Sequence, residues 1–132
     1  MILLDTSVLI EALAGPKRSA SALRAAIERG ERLLVPALVL YEWLRGPRRP
    51  EELRAQEALF PREFAIPFGP QEAALAASLY ARMPRARGRE IDLAIAACAL
   101  VRSADLWTLN LEDFQDIPDL RASAPGSPQR PS

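Results

Sequence analysis

The chain contains no histidine. That absence excludes Ser-His-Asp triads, Cys-His dyads, histidine-based zinc sites and imidazole general bases together. Any catalysis must rest on carboxylates, hydroxyls, arginines or a metal ion. Cysteine occurs once, as Cys98 within the apolar run LAIAACAL, so no intramolecular disulfide can form. Cys98 reads as a small core residue in a reducing compartment. Lysine also occurs once, at Lys17, and the remaining positive charge is arginine. Arginine suits bidentate phosphate contacts, and the same usage is what compositional bias produces. Neither sign of charge is in excess, with 17 basic and 17 acidic residues. No global field draws the chain to a polyanion, so nucleic-acid binding requires a local patch. No stretch approaches the roughly 20 apolar residues of a membrane helix. MILLDTSVLI lacks the basic start of a signal peptide, and Asp5 interrupts its apolar run. The expectation is a soluble, cytoplasmic protein.

What is present fits one domain: 132 residues, 49% of them hydrophobic. Residues 2–5 (ILLD), 32–35 (RLLV) and 105–109 (DLWTL) are short apolar runs and predict buried strands. FAIPF at 64–68 is a further strand, placed towards an edge by Pro67. Helical spacing follows Asp5 in VLIEALAG and recurs at 18–29, in ALVLYEWLRG, and at 50–60, 70–82 and 89–103. Gly15-Pro16, Gly30 and Gly46-Pro47 supply stops, and PRARG at 84–88 is a basic loop. Strands alternating with helices predict an α/β fold: a single-domain α/β/α sandwich around a mostly parallel sheet, over residues 1–121. Residues 122–132 (ASAPGSPQRPS) are expected to be a disordered Pro/Ser-rich tail. Sites in such folds gather at the carboxyl ends of the strands, which puts Asp5 and Asn110 on one rim.

Acids inside apolar segments are costly to bury unless paired or metal-bound. Asp5 ends ILL, Glu42 lies in VPALVLYEWL and Asp92 lies in IDLAIAACAL. Asp113, in NLEDF, is placed for a turn that points back at the rim. Each has an ordinary explanation. Asp5 fits an N-cap, Glu42 a solvated helix edge, Asp92 a first-turn acid favoured by the helix dipole, and Asp113 a turn cap. In combination they offer one rim a carboxylate from each of four segments. Such a ring repels itself unless a cation is present. Oxygen-only ligands fit Mg²⁺ or Mn²⁺, and such ions polarise phosphodiesters and activate water without histidine. Thr6 or Ser7 is placed to hold the metal's water or a neighbouring carboxylate.

Four motifs then carry a family resemblance: LLDTSVLI at 3–10, VLYEWLRG at 39–46, IDLAIAACAL at 91–100 and TLNLEDF at 108–114. In this order and spacing the chain resembles the PIN-domain ribonucleases, and within them the VapC-type toxins of prokaryotic toxin–antitoxin pairs, across residues 1–120. DTSVLI alone is moderately specific; the ordered set is far more so. The resemblance implies that Asp5, Glu42 and Asp92 are acidic metal ligands and that Asp113 stands in the place of a fourth, more variable acid. Thr6 matches the hydroxyl after the first aspartate, and Asn110 the polar residue after the last long strand. It further implies an α/β/α sandwich, Mg²⁺ or Mn²⁺ as cofactor, RNA as substrate, homodimerisation, and a VapB-like antitoxin that covers the active site, commonly with an arginine among the carboxylates. The connection VRSADLWTLN after the Asp92 helix is short for the family, and the tail from Ala122 has no family counterpart.

The function expected is therefore metal-dependent endoribonuclease, the toxin of a type II pair, with Asp5, Glu42, Asp92 and Asp113 around the metal. Arg85, Arg87 and Arg89 are candidate RNA contacts, because their loop leads into the Asp92 helix; a solvated loop is the equal alternative. The competing function is a catalytically inactive PIN-like protein-binding module, against which the complete acid set speaks. A haloacid-dehalogenase-like phosphatase needs an aspartate where Ser7 stands, and a receiver domain needs paired first-strand acids and a late lysine. Apolar faces at 20–27 and 73–80 fit either a dimer interface or the core.

Overall fold

A computed structural model describes residues 1–127. Its sheet is built from β1 (Ile2–Leu4), β2 (Leu33–Leu34), β3 (Asp105–Trp107) and β4 (Ala122–Ser123), in the order β2-β1-β3-β4. Every pairing is parallel. The helices are α1 (Thr6–Leu13), α2 (Ala20–Glu28), α3 (Ala37–Arg45), α4 (Pro50–Leu59), α5 (Pro70–Arg82) and α6 (Glu90–Val101). The expected α/β/α sandwich is what forms. Parallel strands covered on both faces are apolar without alternation, and Ile2, Leu3 and Leu4 are all fully buried.

The chain leaves β1 towards β2 on one side, and β3 takes the other side of β1. The strand order therefore reverses between β1 and β3, and a crevice opens there beyond their carboxyl ends. Asp5 follows β1 and Thr108 follows β3, so both lie at that switch point. Helix α6 is apolar on all sides and sits in the core, with Leu93 through Ala99 buried. Its alanines and Cys98 allow close approach by α5, α3 and β3, which all pack on it. Cys98 is fully buried, and burial pushes its thiol up to about 11, so it remains a core thiol.

Two expectations are corrected. The strand expected at 64–68 shrinks to a single parallel bridge between Pro36 and Ile66, after a 3₁₀ turn at Arg62–Phe64. Ile66 donates to the Val35 carbonyl at 2.9 Å and Ala37 donates to the Ile66 carbonyl at 2.7 Å. Pro36 and Pro67 lack the amide hydrogens that would extend the ladder. The tail expected to be structureless from Ala122 instead begins with β4, in register with Leu106 and Trp107. A parallel edge rewards two residues of pairing whatever their composition, which is why a Pro/Ser-rich sequence concealed it. The last part of that tail, residues 128–132, lies outside the described residues.

Candidate functional site

Asp5 occupies the N-cap position of α1 with extended backbone, yet its side chain makes no capping hydrogen bond. The residue is buried, at 5% exposure. Its Oδ2 accepts from Ser7 Oγ at 2.8 Å and from Thr108 Oγ1 at 2.8 Å. Thr108 is itself fully buried, and its hydroxyl accepts the Asn110 amide at 3.0 Å. Ser7 Oγ accepts the Leu109 amide at 3.0 Å. The hydroxyls of α1 and of the segment after β3 thus lace the switch point shut around one carboxylate oxygen.

Glu42 comes from α3, the helix after β2. Thr6 Oγ1 donates to its Oε1 at 2.6 Å, tying α3 to the start of α1. Its other oxygen meets Arg45 at 3.5 Å, and Arg45 also lies over the exposed Tyr41 ring, 5.5 Å from its centroid. Asp92 stands half-buried in the first turn of α6. Its burial, and then the negative charges of Asp5, Asp113 and Glu42, push its carboxyl up to about 6, with Arg89 pulling the other way. The four acids are therefore close enough to act on one of their number. Asp113 ends an exposed 3₁₀ turn, Leu111–Asp113, for which Asn110 is the N-cap residue. Asn110 contributes backbone there: its carbonyl accepts the Asp113 amide at 3.0 Å.

Among the described residues, no three acidic side chains are grouped closely enough to hold a metal ion as they stand. The set is an open rim of oxygen donors in which Asp5, Asp113 and Glu42 repel the charged form of Asp92. Its chemistry fits a hard divalent cation, which relieves that repulsion and retains positions for water and a phosphate.

Of the three candidate RNA-contacting arginines, Arg85 and Arg87 are exposed on the loop before α6. Arg89 is engaged within the protein. Its Nη1 and Nη2 donate to the two oxygens of Asp116 at 2.9 Å and 2.7 Å, and Nη2 also donates to the Asp113 carbonyl at 2.8 Å. That bonding to Asp116 holds the guanidinium above its ordinary pKa and the Asp116 carboxyl below its own. Sequence reasoning gave no part to Thr108 or Asp116. Thr108 carried a readable signal, a hydroxyl inside the apolar run DLWTL; Asp116 carried none, because its partner is 27 residues away.

An α/β/α sandwich with an acidic rim at its switch point defines a class, and a family model agrees: the PIN domain model matches residues 2–120. The chain belongs to the PIN-domain family. It is similar to Ribonuclease VapC19 of Mycobacterium tuberculosis, 35% identical over 124 residues, which cover 92% of this chain and 98% of that protein. Its fold is similar to that of VapBC2 from Rickettsia felis bound to a promoter DNA fragment, with a TM-score of 0.73, 19% identity, and coverage of 94% of this chain and 98% of that one. It is also similar to FitAcB from Neisseria gonorrhoeae, with a TM-score of 0.67, 21% identity, and coverage of 95% and 98%. Among the described residues no helix is long and apolar enough to cross a membrane.

Proposed function

We propose that this chain is a metal-dependent endoribonuclease that acts in the cytoplasm as the toxin of a toxin–antitoxin pair. Its regulator is a VapB-like antitoxin, and it works as a homodimer. One observation carries the reading: Asp92, in the first turn of α6, is raised to about 6 by its burial and then by the negative charges of Asp5, Asp113 and Glu42, which come from three other segments around a strand-order switch point. The similarity to a protein named as a ribonuclease supplies the substrate class.

Asp5, Glu42 and Asp92 are the carboxylates that hold the cation, Mg²⁺ or Mn²⁺, with Asp113 as the fourth. When bound, the cation supplies charge neutralisation at the scissile phosphate and acidifies water for attack. The chain's own part is orientation. Ser7 and Thr108 fix Asp5 through one oxygen, and Thr6 fixes Glu42. Asp113, exposed at the edge of the rim, orients the attacking water and takes up its proton. Arg85 and Arg87 hold the RNA backbone beside α6. Unpaired RNA suits this open rim better than a duplex, since it brings a phosphate to the acids without a groove to match.

The test is cleavage by the purified, antitoxin-free chain of a mixed pool of structured and single-stranded RNA, beside a single-stranded DNA pool. Cleavage of RNA in Mn²⁺ or Mg²⁺ that stops in EDTA is the expected result. A folded chain that cleaves neither pool and binds neither ion contradicts the proposal and leaves the protein-binding module in its place.

A further inference from the structure

Asp113 lies on a single 3₁₀ turn, an element too short to be rigid by itself. Its position must come from what pins the turn. The leading end is pinned by the Asn110 amide on Thr108. The trailing end is pinned by the burial of Phe114 and Ile117, at 1% and 3% exposure. Between these anchors the only side chain that reaches Asp113 itself, among the described residues, is Arg89, through the Asp113 carbonyl. Arg89 is the N-cap residue of α6, one turn before Asp92. One guanidinium thus joins the base of the Asp92 helix to the turn that carries Asp113. Its side chain is 19% exposed, and both of its terminal nitrogens bond to Asp116.

We propose that Arg89 and Asp116 form a latch that positions Asp113 against Asp92, so that both are positioning residues for the cation site. This rests on the metal-nuclease reading above. It removes Arg89 from the RNA contacts, leaving that role to Arg85 and Arg87.

Charge and geometry oppose each other here, and that makes the proposal sharp. Arg89 is a cation near the site, so deleting it should tighten divalent-ion binding if its field is what matters. Asp116 offsets that charge through two short bonds, and the guanidinium's remaining pull is the weakest of the influences on Asp92. Geometry therefore dominates, and deletion weakens binding. Lysine keeps the charge but lacks the planar fork that bonds Asp116 and the Asp113 carbonyl together, so it does not substitute.

The experiment is calorimetric titration of Mn²⁺ into the full chain and into Arg89→Met, Arg89→Lys and Asp116→Asn, with Asp92→Asn as the reference for a lost ligand. Circular dichroism reports folding. Arg89→Met and Arg89→Lys are each expected to weaken Mn²⁺ binding about tenfold, the usual range for a residue that orients a metal ligand. RNA cleavage should lose kcat with little change in KM. Unchanged or tighter Mn²⁺ binding by Arg89→Met overturns the latch. So does an Arg89→Lys variant that matches the parent, which would make the residue a charge only, or a raised KM at constant kcat, which would make it an RNA contact. If Arg89→Met does not fold, Asp116→Asn carries the test: its amide cannot accept both guanidinium donors, and parental Mn²⁺ affinity in that variant overturns the latch. A parent chain with no Mn²⁺ affinity removes the nuclease reading and the latch with it; a parent that binds beside an equal Arg89→Met removes the latch alone.

Discussion

At the residue scale the site is organised by hydroxyls. An aspartate at an N-cap ordinarily bonds the first helical amides, and Asp5 does not; its carboxylate accepts instead from the hydroxyls of Ser7 and Thr108. Thr108→Val keeps the shape and removes the bond. It leaves a buried carboxylate short of one donor and the Asn110 amide without its acceptor. The expected cost is about 1–3 kcal/mol in urea unfolding, together with weaker Mn²⁺ binding; parental values in both would refute the role. Asp92 makes a prediction of opposite sign. Its carboxyl is raised from 3.8 to about 6 in the fold, so the fold favours the protonated form. Stability from that group is complete below about pH 4 and is lost as pH rises through 6. Asp92→Asn lacks the penalty of the charged form. In chelator at pH 8 it should be more stable than the parent by about 1–2 kcal/mol after allowance for solvent screening, and the gap should close by pH 4. A gap that does not vary with pH would show that Asp92 is not under pressure from its neighbours.

At the element scale, α6 and the short strands set the geometry. The apolar completeness of IDLAIAACAL marked α6 as buried, and it is, with Asp92 at the end where the core meets the rim. Short runs such as ILL and DLW were equally legible, since a strand covered on both faces has no alternation to disguise it. The β4 pairing was not legible. The pairing runs through backbone, Leu106 donating to the carbonyl of Arg121 just before β4 at 2.8 Å and Thr108 to the Ser123 carbonyl at 3.0 Å, and composition does not record such bonds. Because the second of these bonds anchors the backbone of Thr108, β4 supports the site as well as the sheet. A chain ending at Arg121 should lose about 2–3 kcal/mol of stability in urea unfolding and bind Mn²⁺ more weakly. Unchanged stability would mean that β3 tolerates being an edge.

At the scale of the whole molecule, the 17 basic and 17 acidic residues cancel, so capture of RNA depends on local placement. Arg85 and Arg87 are exposed beside the rim, and Arg85 has a left-handed backbone with φ of 62°. Asparagine tolerates that conformation, so Arg85→Asn with Arg87→Gln tests the charges without added strain. The pair should raise KM for RNA and leave kcat near the parent. The salt dependence of binding should become shallower by about 0.7 per lost contact on a single strand. An unchanged salt slope would return both arginines to the status of a solvated loop. Asp5, Glu42 and Asp92 could be singled out in the sequence because each interrupts an apolar segment. The partners that hold them were harder to find. Thr6 and Ser7 lie beside Asp5 in sequence, while Thr108 reaches it across 103 residues and Asp116 reaches Arg89 across 27. Only the closed sheet brings those pairs together.

The measurement that tests the central claim most directly is single-turnover RNA cleavage in Mn²⁺ by the folded parent and by Asp5→Asn, Glu42→Gln and Asp92→Asn, each checked for folding by circular dichroism. Each of the three substitutions is expected to cost at least about a thousandfold in rate, with Asp92→Asn doing so while its metal-free form is as stable as the parent or more so. Cleavage that persists in a folded Asp92→Asn variant would contradict the central claim, because the acid on which the whole rim bears would then have no part in the chemistry.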